Sequence, residues 1–371
     1  MTRILGVMDE DPFDYRTWSG SSKYLFSALK EHQVLAAAIS AEPSRFSQRI
    51  AQLTTFQPDM EKWKFSYHLS TRLFGAMTSA AKRKIAEYGT DFDTILQVGA
   101  WYDLIDSSVV NVSYHDGNLA TRLSSPFGFP AVTRSIIDRA LAYERHLYQR
   151  MDIIFPMSEW LRQSFIKDFG VAEDKVKAVG AGINLPAIRN TENRSYGSKR
   201  ILMVGKDFNR KGGKHLLAAF KKVKQAVPEA ELRIIGPDLG DVAEGVKCLG
   251  FVSKNDATGL EMILDEYTQA DVFTVPSLYE PFGISFCEAM AHRVPCVGTN
   301  ICAMPEIIRE GITGFVVPPG ESEPLANRLI ELLRSETLCQ QMGEAGYQHY
   351  RENYTWEIVT QKIIQNINSI M

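Results

Sequence analysis

Glu280 and Glu288 stand on either side of a Pro-Phe-Gly-Ile turn in PSLYEPFGISFCEAMAHRVPCVGTNICAMPE, Pro276 to Glu306. The first precedes the turn and the second falls inside the helix predicted to follow it. A helix starting near Gly283 aims unpaired N–H groups and the positive end of its dipole at whatever fills the gap, which favours an anionic ligand. Carboxylates beside such a phosphate site are best used as acceptors for hydroxyls. Together these features describe a site for a ligand that is both a polyol and a phosphate ester, as a nucleotide sugar is. The plainer alternative is a buried helix with two solvated glutamates.

A second constellation lies upstream. An apolar run, RILMVG, leads into GKDFNRKGG, Gly205 to Gly213, and then into a helix pattern. Strand, short glycine-bearing loop and helix start is a geometry that receives phosphate, and Lys206, Arg210 and Lys211 bring cations to the same end of the sheet. The spacing matches neither G-x-x-x-x-G-K-[ST] nor G-x-G-x-x-G. In the first half of the chain, Gly20 opens the first helix pattern, where a missing side chain lets backbone amides approach a phosphate or sugar. His115 and Asp116 follow the run NVSY and so emerge at a strand's carboxyl end, where open sheets place ligands.

These residues need two sheets to hold them. The 371 residues exceed the usual size of one domain, so two are expected. Ile4 to Met8, Val34 to Ser40, Thr94 to Gly99 and Ile153 to Ser158 read as strands of a first domain. Arg200 to Gly205, Glu231 to Gly236, Val272 to Ser277 and Pro295 to Thr299 read as strands of a second. Alternation of such runs with amphipathic stretches indicates α/β domains with parallel sheets. Leu185 to Lys199, polar and without a period, reads as the linker.

Composition excludes several classes. Lys and Arg total 41 against 44 Asp and Glu, a net charge of −3, so no field strong enough to hold nucleic acid is present. The five cysteines, Cys248, Cys287, Cys296, Cys302 and Cys339, are never in C-x-x-C spacing, which argues against a disulfide framework or a zinc site. The apolar run before Asp9, Glu10 and Asp11 is too short for a signal peptide, and no run reaches bilayer length. The expected compartment is the cytoplasm, with peripheral contact at the inner face of a membrane as an open alternative. Its candidate is the amphipathic stretch Val132 to Met151, with Val132, Ile136, Ile137, Ala140, Leu141 and Leu147 toward one side and Arg134, Arg139, Arg145 and Arg150 along it. The commoner arrangement for such a helix is packing on its own sheet. Phe56 to Phe74 also mixes aromatic with basic residues.

From Gly205 to Pro319 the chain resembles the retaining glycosyltransferases of family 4. Glu280 and Glu288 match that family's E-x7-E pair, GKDFNRKG looks like its phosphate loop, and MPEII followed by GITGFVVPPG looks like its P-E-[IV]-[IV] and G-x-x-G-x-x-V-x-P segment. In the first domain the likeness rests on Gly20, on His115 with Asp116, and on VGAGIN, with Ala181 where the family has Asn. Lys206 replaces the usual Arg of a G-R pair, keeping the charge but losing the bidentate fork.

The resemblance implies a GT-B fold: two Rossmann-like α/β domains facing across a cleft, with the final helix crossing back to the N-terminal domain. Residues 1–185, with a C-terminal helix of about 354–371, would bind the acceptor, and residues 186–353 the nucleotide-sugar donor. It implies hexosyl transfer from a UDP, GDP or ADP sugar to a carbohydrate or lipid-linked acceptor, with retained anomeric configuration and neither metal nor other cofactor. Glu288 would accept from the ribose hydroxyls. Glu280 would hold hydroxyls of the transferred sugar together with the amides of Phe282, Gly283 and Ile284. Lys206, Arg210 and Lys211 would meet the diphosphate, and His115 and Asp116 would lie near the transferred sugar or the acceptor, His115 through its backbone carbonyl as much as its ring. Glu280, His115, Lys211 and Lys206 are thus the expected catalytic groups. Asp91-Phe92-Asp93 spells the D-x-D of a metal-dependent transferase class, but far from the phosphate loop, and reads as a turn. Two rivals remain: a nucleotide-sugar-binding protein without transfer activity, and another enzyme on the same fold, such as a sugar-nucleotide epimerase.

Overall fold

The computed structural model describes residues 2–99, 101–129, 132–240 and 242–371. It divides into two compact units, Met1–Gly180 with Trp356–Met371, and Ala181–Thr355.

The first unit runs β1 (Ile4–Met8), α1 (Ser21–Glu31), β2 (Leu35–Ser40), α2 (Arg45–Thr54), α3 (Met60–His68) and α4 (Thr71–Tyr88). It continues with β3 (Thr94–Val98), β4 (Val110–His115), α5 (Leu119–Leu123), α6 (Arg134–Arg150), β5 (Ile153–Pro156) and α7 (Glu159–Lys167). Its sheet has the order β2-β1-β3-β4-β5 with every neighbouring pair parallel. Strands β1 and β3 are buried along their whole length, which is why ILGVM and TILQV show apolar runs rather than alternation.

The second unit runs β6 (Arg200–Val204), α8 (Gly213–Ala226), β7 (Glu231–Ile235), β8 (Val246–Cys248), α9 (Ala257–Gln269) and β9 (Val272–Thr274). Then come α10 (Ile284–Ala291), β10 (Cys296–Thr299), α11 (Met304–Ile307), β11 (Gly314–Val317), α12 (Ser322–Leu333) and α13 (Glu336–Asn353). The parallel order is β11-β10-β9-β6-β7-β8. Helix α14 (Trp356–Asn368) belongs to the first unit and packs on α1, burying Trp356, Val359, Ile363 and Ile367.

The polar stretch Leu185 to Lys199 is irregular, yet it is strapped to the second unit. Arg189 pairs with Glu261 and Asp265. Arg293 donates to the Thr191 hydroxyl at 3.0 Å, Arg194 donates to the His292 carbonyl at 2.6 Å, and the Gly197 N–H donates to Asp271 at 3.0 Å. Its polar groups meet the acids of α9 and the carbonyls at the end of α10, not only water.

Helix α6 packs within its own unit. Ala140 is buried, with Ile136, Ile137 and Leu141 against the same cluster. Arg134 pairs with Asp138 at 2.9 Å, Arg145 donates to the Asp168 carbonyl at 3.0 Å, and Arg150 pairs with Asp103 at 3.1 Å. Among the described residues no helix is long and apolar enough to cross a membrane.

Candidate functional site

In the second unit the strand order reverses between β6 and β9: β7 and β8 lie on one side of that point, β10 and β11 on the other. A crevice outside the carboxyl ends of strands at such a reversal is where open α/β sheets take ligands. The loop 205–212 leaves β6 there, and the loop 275–283 leaves β9.

The two loops are joined through backbone groups. The Leu278 N–H donates to the Arg210 carbonyl at 2.8 Å, and the Arg210 guanidinium donates to the Tyr279 carbonyl at 2.7 Å. Gly212 has φ +70°, and a Cβ there would lie 1.9 Å from the Pro276 carbonyl oxygen, so only glycine allows this approach. A Cβ at Gly205 would fall 2.1 Å from Lys211 Cδ, so the bare backbone of that residue gives the lysine its path.

Along that path Lys211 Nζ reaches Glu280 Oε2 at 2.6 Å. The same oxygen accepts from Ser277 Oγ at 3.0 Å, and Arg210 Nη1 lies 3.6 Å away. Glu280 is only 8% exposed. Burial alone would raise its pKa, but Lys211 and Arg210, with the Lys211 and Ser277 hydrogen bonds, bring it below the usual 4.5. The carboxylate's contribution to stability is therefore complete above 4.5 and is lost as pH falls through the lower folded value.

Helix α10 begins at Ile284 with Gly283 as its N-cap, at φ +85° and with no side-chain cap. The end of the helix is thus offered to a ligand by backbone alone, beside Glu280. Glu288, on α10, is 2% exposed and already doubly engaged: Tyr267 donates to Oε2 at 3.0 Å, and Lys254 Nζ to Oε1. Lys254 also donates to the Asn184 carbonyl at 3.3 Å. Lys206 stands apart from the carboxylates, exposed, with Nζ 4.4 Å from the centroid of the Phe251 ring. The structure therefore brings Arg210, Lys211 and Glu280 together, and gives Glu288 a separate cation.

In the first unit the order reverses between β1 and β3. The segment after β1 ends in three left-handed residues, Trp18 at φ +45°, Ser19 at +57° and Gly20 at +89°, with Gly20 capping α1. For a tryptophan and a serine this is strained backbone. Trp18 is held there by its indole N–H, which donates to Asp116 Oδ2 at 3.0 Å, and by an edge contact with Tyr114 at 5.6 Å. Gly20 and Asp116, distant in sequence, are linked through this ring.

His115 turns its ring into the core of the first unit. Its ring is 2% exposed, 5.4 Å from Tyr148 and 5.1 Å from Phe165, and Nε2 has no partner among the described residues. Strand alternation is the reason: Tyr114 faces Trp18, so the next residue faces the other side of the sheet, where α6 and α7 cover it. Burial brings its pKa down to about 3, so the ring is neutral at physiological pH. The backbone carbonyl at this position, the other contact expected of it, accepts from the Met157 N–H at 2.9 Å.

Because the unfolded state protonates this histidine near 6.5 and the folded state does not, the protein should lose stability as pH falls from 6.5 toward 3. His115→Phe, which keeps an aromatic ring in that pocket, is expected to melt close to wild type at pH 8 and progressively above it between pH 6.5 and 5. A melting-temperature difference independent of pH would contradict the neutral buried ring.

The residues that the sequence did not point to are Ser277, Lys254, Tyr267 and Trp18. Ser277 stands three places before Glu280 inside the informative stretch. Lys254 and Tyr267 lie 34 and 21 positions from Glu288 and carry no motif.

Residues 186–349 match the family model of the glycosyl transferases group 1. Within the curated proteins, the chain is 32% identical over 177 residues to a phosphatidyl-myo-inositol mannosyltransferase of Mycobacterium leprae, covering 45% of this chain and 46% of that protein. The chain spans about half the length of the curated relatives it matches. Solved structures extend the likeness to both units. Sucrose-phosphate synthase from Thermosynechococcus elongatus superposes over 99% of both chains with TM-score 0.71 at 16% identity. HepE of Anabaena in complex with UDP and glucose does so over 100% of both, with TM-score 0.67 at 15% identity. The fold is GT-B.

Proposed function

We propose that this chain transfers a hexosyl group from a nucleotide-diphosphate sugar to an alcohol acceptor, with retention of anomeric configuration and without a metal ion. The observation that carries the reading is the Lys211–Glu280 pair, set beside an uncapped helix start at the strand-order reversal of the second unit. The group 1 family match over that unit and the UDP and glucose bound in the HepE structure support it.

In this reading the diphosphate lies against the α10 N-terminus, with Arg210 and the exposed Lys206 as counter-charges. Glu280 accepts from hydroxyls of the transferred sugar, with Lys211 turning to the leaving phosphate. The bond between the anomeric carbon and the phosphate oxygen breaks, the acceptor oxygen bonds the same face of that carbon, and the acceptor proton passes to the departing phosphate. The protein's part is electrostatic, stabilising charge as it develops on the leaving group. Glu288 would receive the ribose diol in place of the Lys254 ammonium. Glu288→Ala is then expected to weaken nucleotide-sugar binding roughly 10- to 100-fold, the cost of hydrogen bonds to a charged acceptor. Unchanged affinity by calorimetry would remove Glu288 from the donor site.

The test of the function is thermal stability against UDP, GDP, ADP and their common sugar conjugates, with EDTA and with magnesium. A ligand at a hundred times its Kd adds about 2.7 kcal/mol. A shift with one nucleotide, indifferent to EDTA, followed by an α-linked product from an α-linked donor in NMR, is the expected result. Binding without turnover across an acceptor panel would favour a nucleotide-sugar-binding protein.

A further inference from the structure

The cations of the loop 205–212 do not carry their charge in the same way. Lys211 is paired with Glu280 at 2.6 Å. Arg210 pairs with Asp207 at 3.3 Å and donates to the Tyr279 carbonyl at 2.7 Å. Lys206 makes no ion pair among the described residues, and its ammonium lies instead over the Phe251 ring, 4.4 Å from the centroid. The nearest acids in sequence are engaged elsewhere. Asp207 also accepts from the Arg210 backbone N–H at 3.1 Å, and Asp238 accepts from the Gly240 N–H at 3.1 Å. Phe251 itself is 62% exposed, a large apolar side chain standing in water with a lysine across its face.

Backbone contacts fix that ring beside the lysine. Beyond β6, β7 and β8 stand Gly205, Gly236 and Gly250. The Gly205 N–H donates to the Ile235 carbonyl at 2.8 Å, and the Gly236 N–H to the Gly250 carbonyl at 2.9 Å. Gly236 has φ +148°, and a Cβ there would lie 1.9 Å from the Gly205 carbonyl oxygen. The segment that carries Phe251 is thus fastened through bare backbone to the peptide that carries Lys206. At its far end Lys254 ties the segment to Glu288 and, at 3.3 Å, to the Asn184 carbonyl. An aromatic face attracts an ammonium without cancelling its charge, whereas a carboxylate would neutralise it. On the reading that this loop meets a nucleotide-diphosphate sugar, we propose that Phe251 is a positioning residue. Its ring holds the Lys206 ammonium as the unneutralised positive charge of the loop, kept for the diphosphate. It also restrains a flexible four-carbon stem, whose freedom would otherwise be lost on binding.

The test is a substitution series at Phe251, read by calorimetry with whichever of UDP, GDP and ADP the wild type binds. Phe251→Trp should bind at least as tightly as wild type. Phe251→Leu should bind roughly two- to fivefold more weakly, the range of an exposed cation–π contact, and Phe251→Glu roughly tenfold or more weakly. The side chain is exposed, so all three should melt with wild type. In a Lys206→Met background the Trp and Leu variants should bind alike, because the ring then has no ammonium to hold. Without nucleotide, lysine methylation keeps the charge and supplies an NMR signal. The Lys206 methyl resonance, identified by its loss in Lys206→Arg, should stand upfield in wild type and move toward the other lysines in Phe251→Leu. A Phe251→Leu loss that persists in Lys206→Met would put the ring against the ligand itself and overturn the proposal. So would equal affinities of the Trp and Leu variants with Lys206 present, or a Lys206 resonance that Phe251→Leu leaves unmoved. A wild type that binds none of the three nucleotides would remove the donor reading and this inference with it, an outcome distinct from binding that ignores Phe251.

Discussion

Replacing Lys211 with methionine is expected to reduce turnover roughly 10²- to 10³-fold, the usual effect of removing one preorganised group that stabilises developing charge. Nucleotide affinity should change far less, because Arg210 and the α10 N-terminus remain. The same change removes one member of a buried ion pair, with side chains 12% and 11% exposed. Loss of one partner strands the other, a penalty of roughly 3–5 kcal/mol when nothing else compensates. Here Arg210 at 3.6 Å and Ser277 at 3.0 Å still face Glu280, so the loss should fall at or below the lower end of that range. Lys211→Arg keeps charge but not shape and should recover stability more than turnover. Steady-state kinetics with melting curves on the same preparations separate the two effects. A methionine variant with wild-type turnover would remove Lys211 from the chemistry.

The second large effect is structural. Gly212→Ala drives a methyl group to 1.9 Å from the Pro276 carbonyl and forces an L-residue to φ +70°. Backbone cannot yield there as a flexible side chain would, because the two loops are also held by the Arg210 and Leu278 hydrogen bonds. Strain and overpacking together should cost roughly 2–5 kcal/mol, a fall of about 5–15 °C in the melting transition of the second unit. Gly311→Ala is the control. Its φ is +72°, but no atom lies within 4 Å of the position of the new methyl, so it carries the dihedral strain alone. Equal losses in the two variants would show that the loop contact contributes nothing. Since the contact positions Lys211 against Glu280, Gly212→Ala should also lower turnover below the melting range.

Much of the fold was legible because parallel strands are buried on both faces and so stand out as short apolar runs. ILGVM, TILQV, RILMV and ELRII each became a strand within a residue of the expected bounds. Strand β8, Val246–Cys248, was invisible because it lies at the edge of its sheet, is only partly buried and has Lys247 at its centre. Strand β11, Gly314–Val317, lay unnoticed inside a segment read for its motif. The stretch Leu185 to Lys199 was polar for a reason other than solvation, since those side chains tie it to α9 and to the end of α10. Composition records polarity without recording the partner.

Local chemistry followed the same division. The sequence by itself determined that two glutamates, a glycine-bearing basic loop and a helix start would lie at the carboxyl ends of a parallel sheet, because spacing along one chain and the direction of a strand are local properties. Tertiary structure alone decided the pairings. Lys211 meets Glu280 across 69 positions, and Lys254 meets Glu288 across 34. It also decided that His115 turns into the aromatic core while Asp116 turns to Trp18. Each depends on which side of a strand or helix other elements come to cover, and that is set by contacts between residues far apart in the chain.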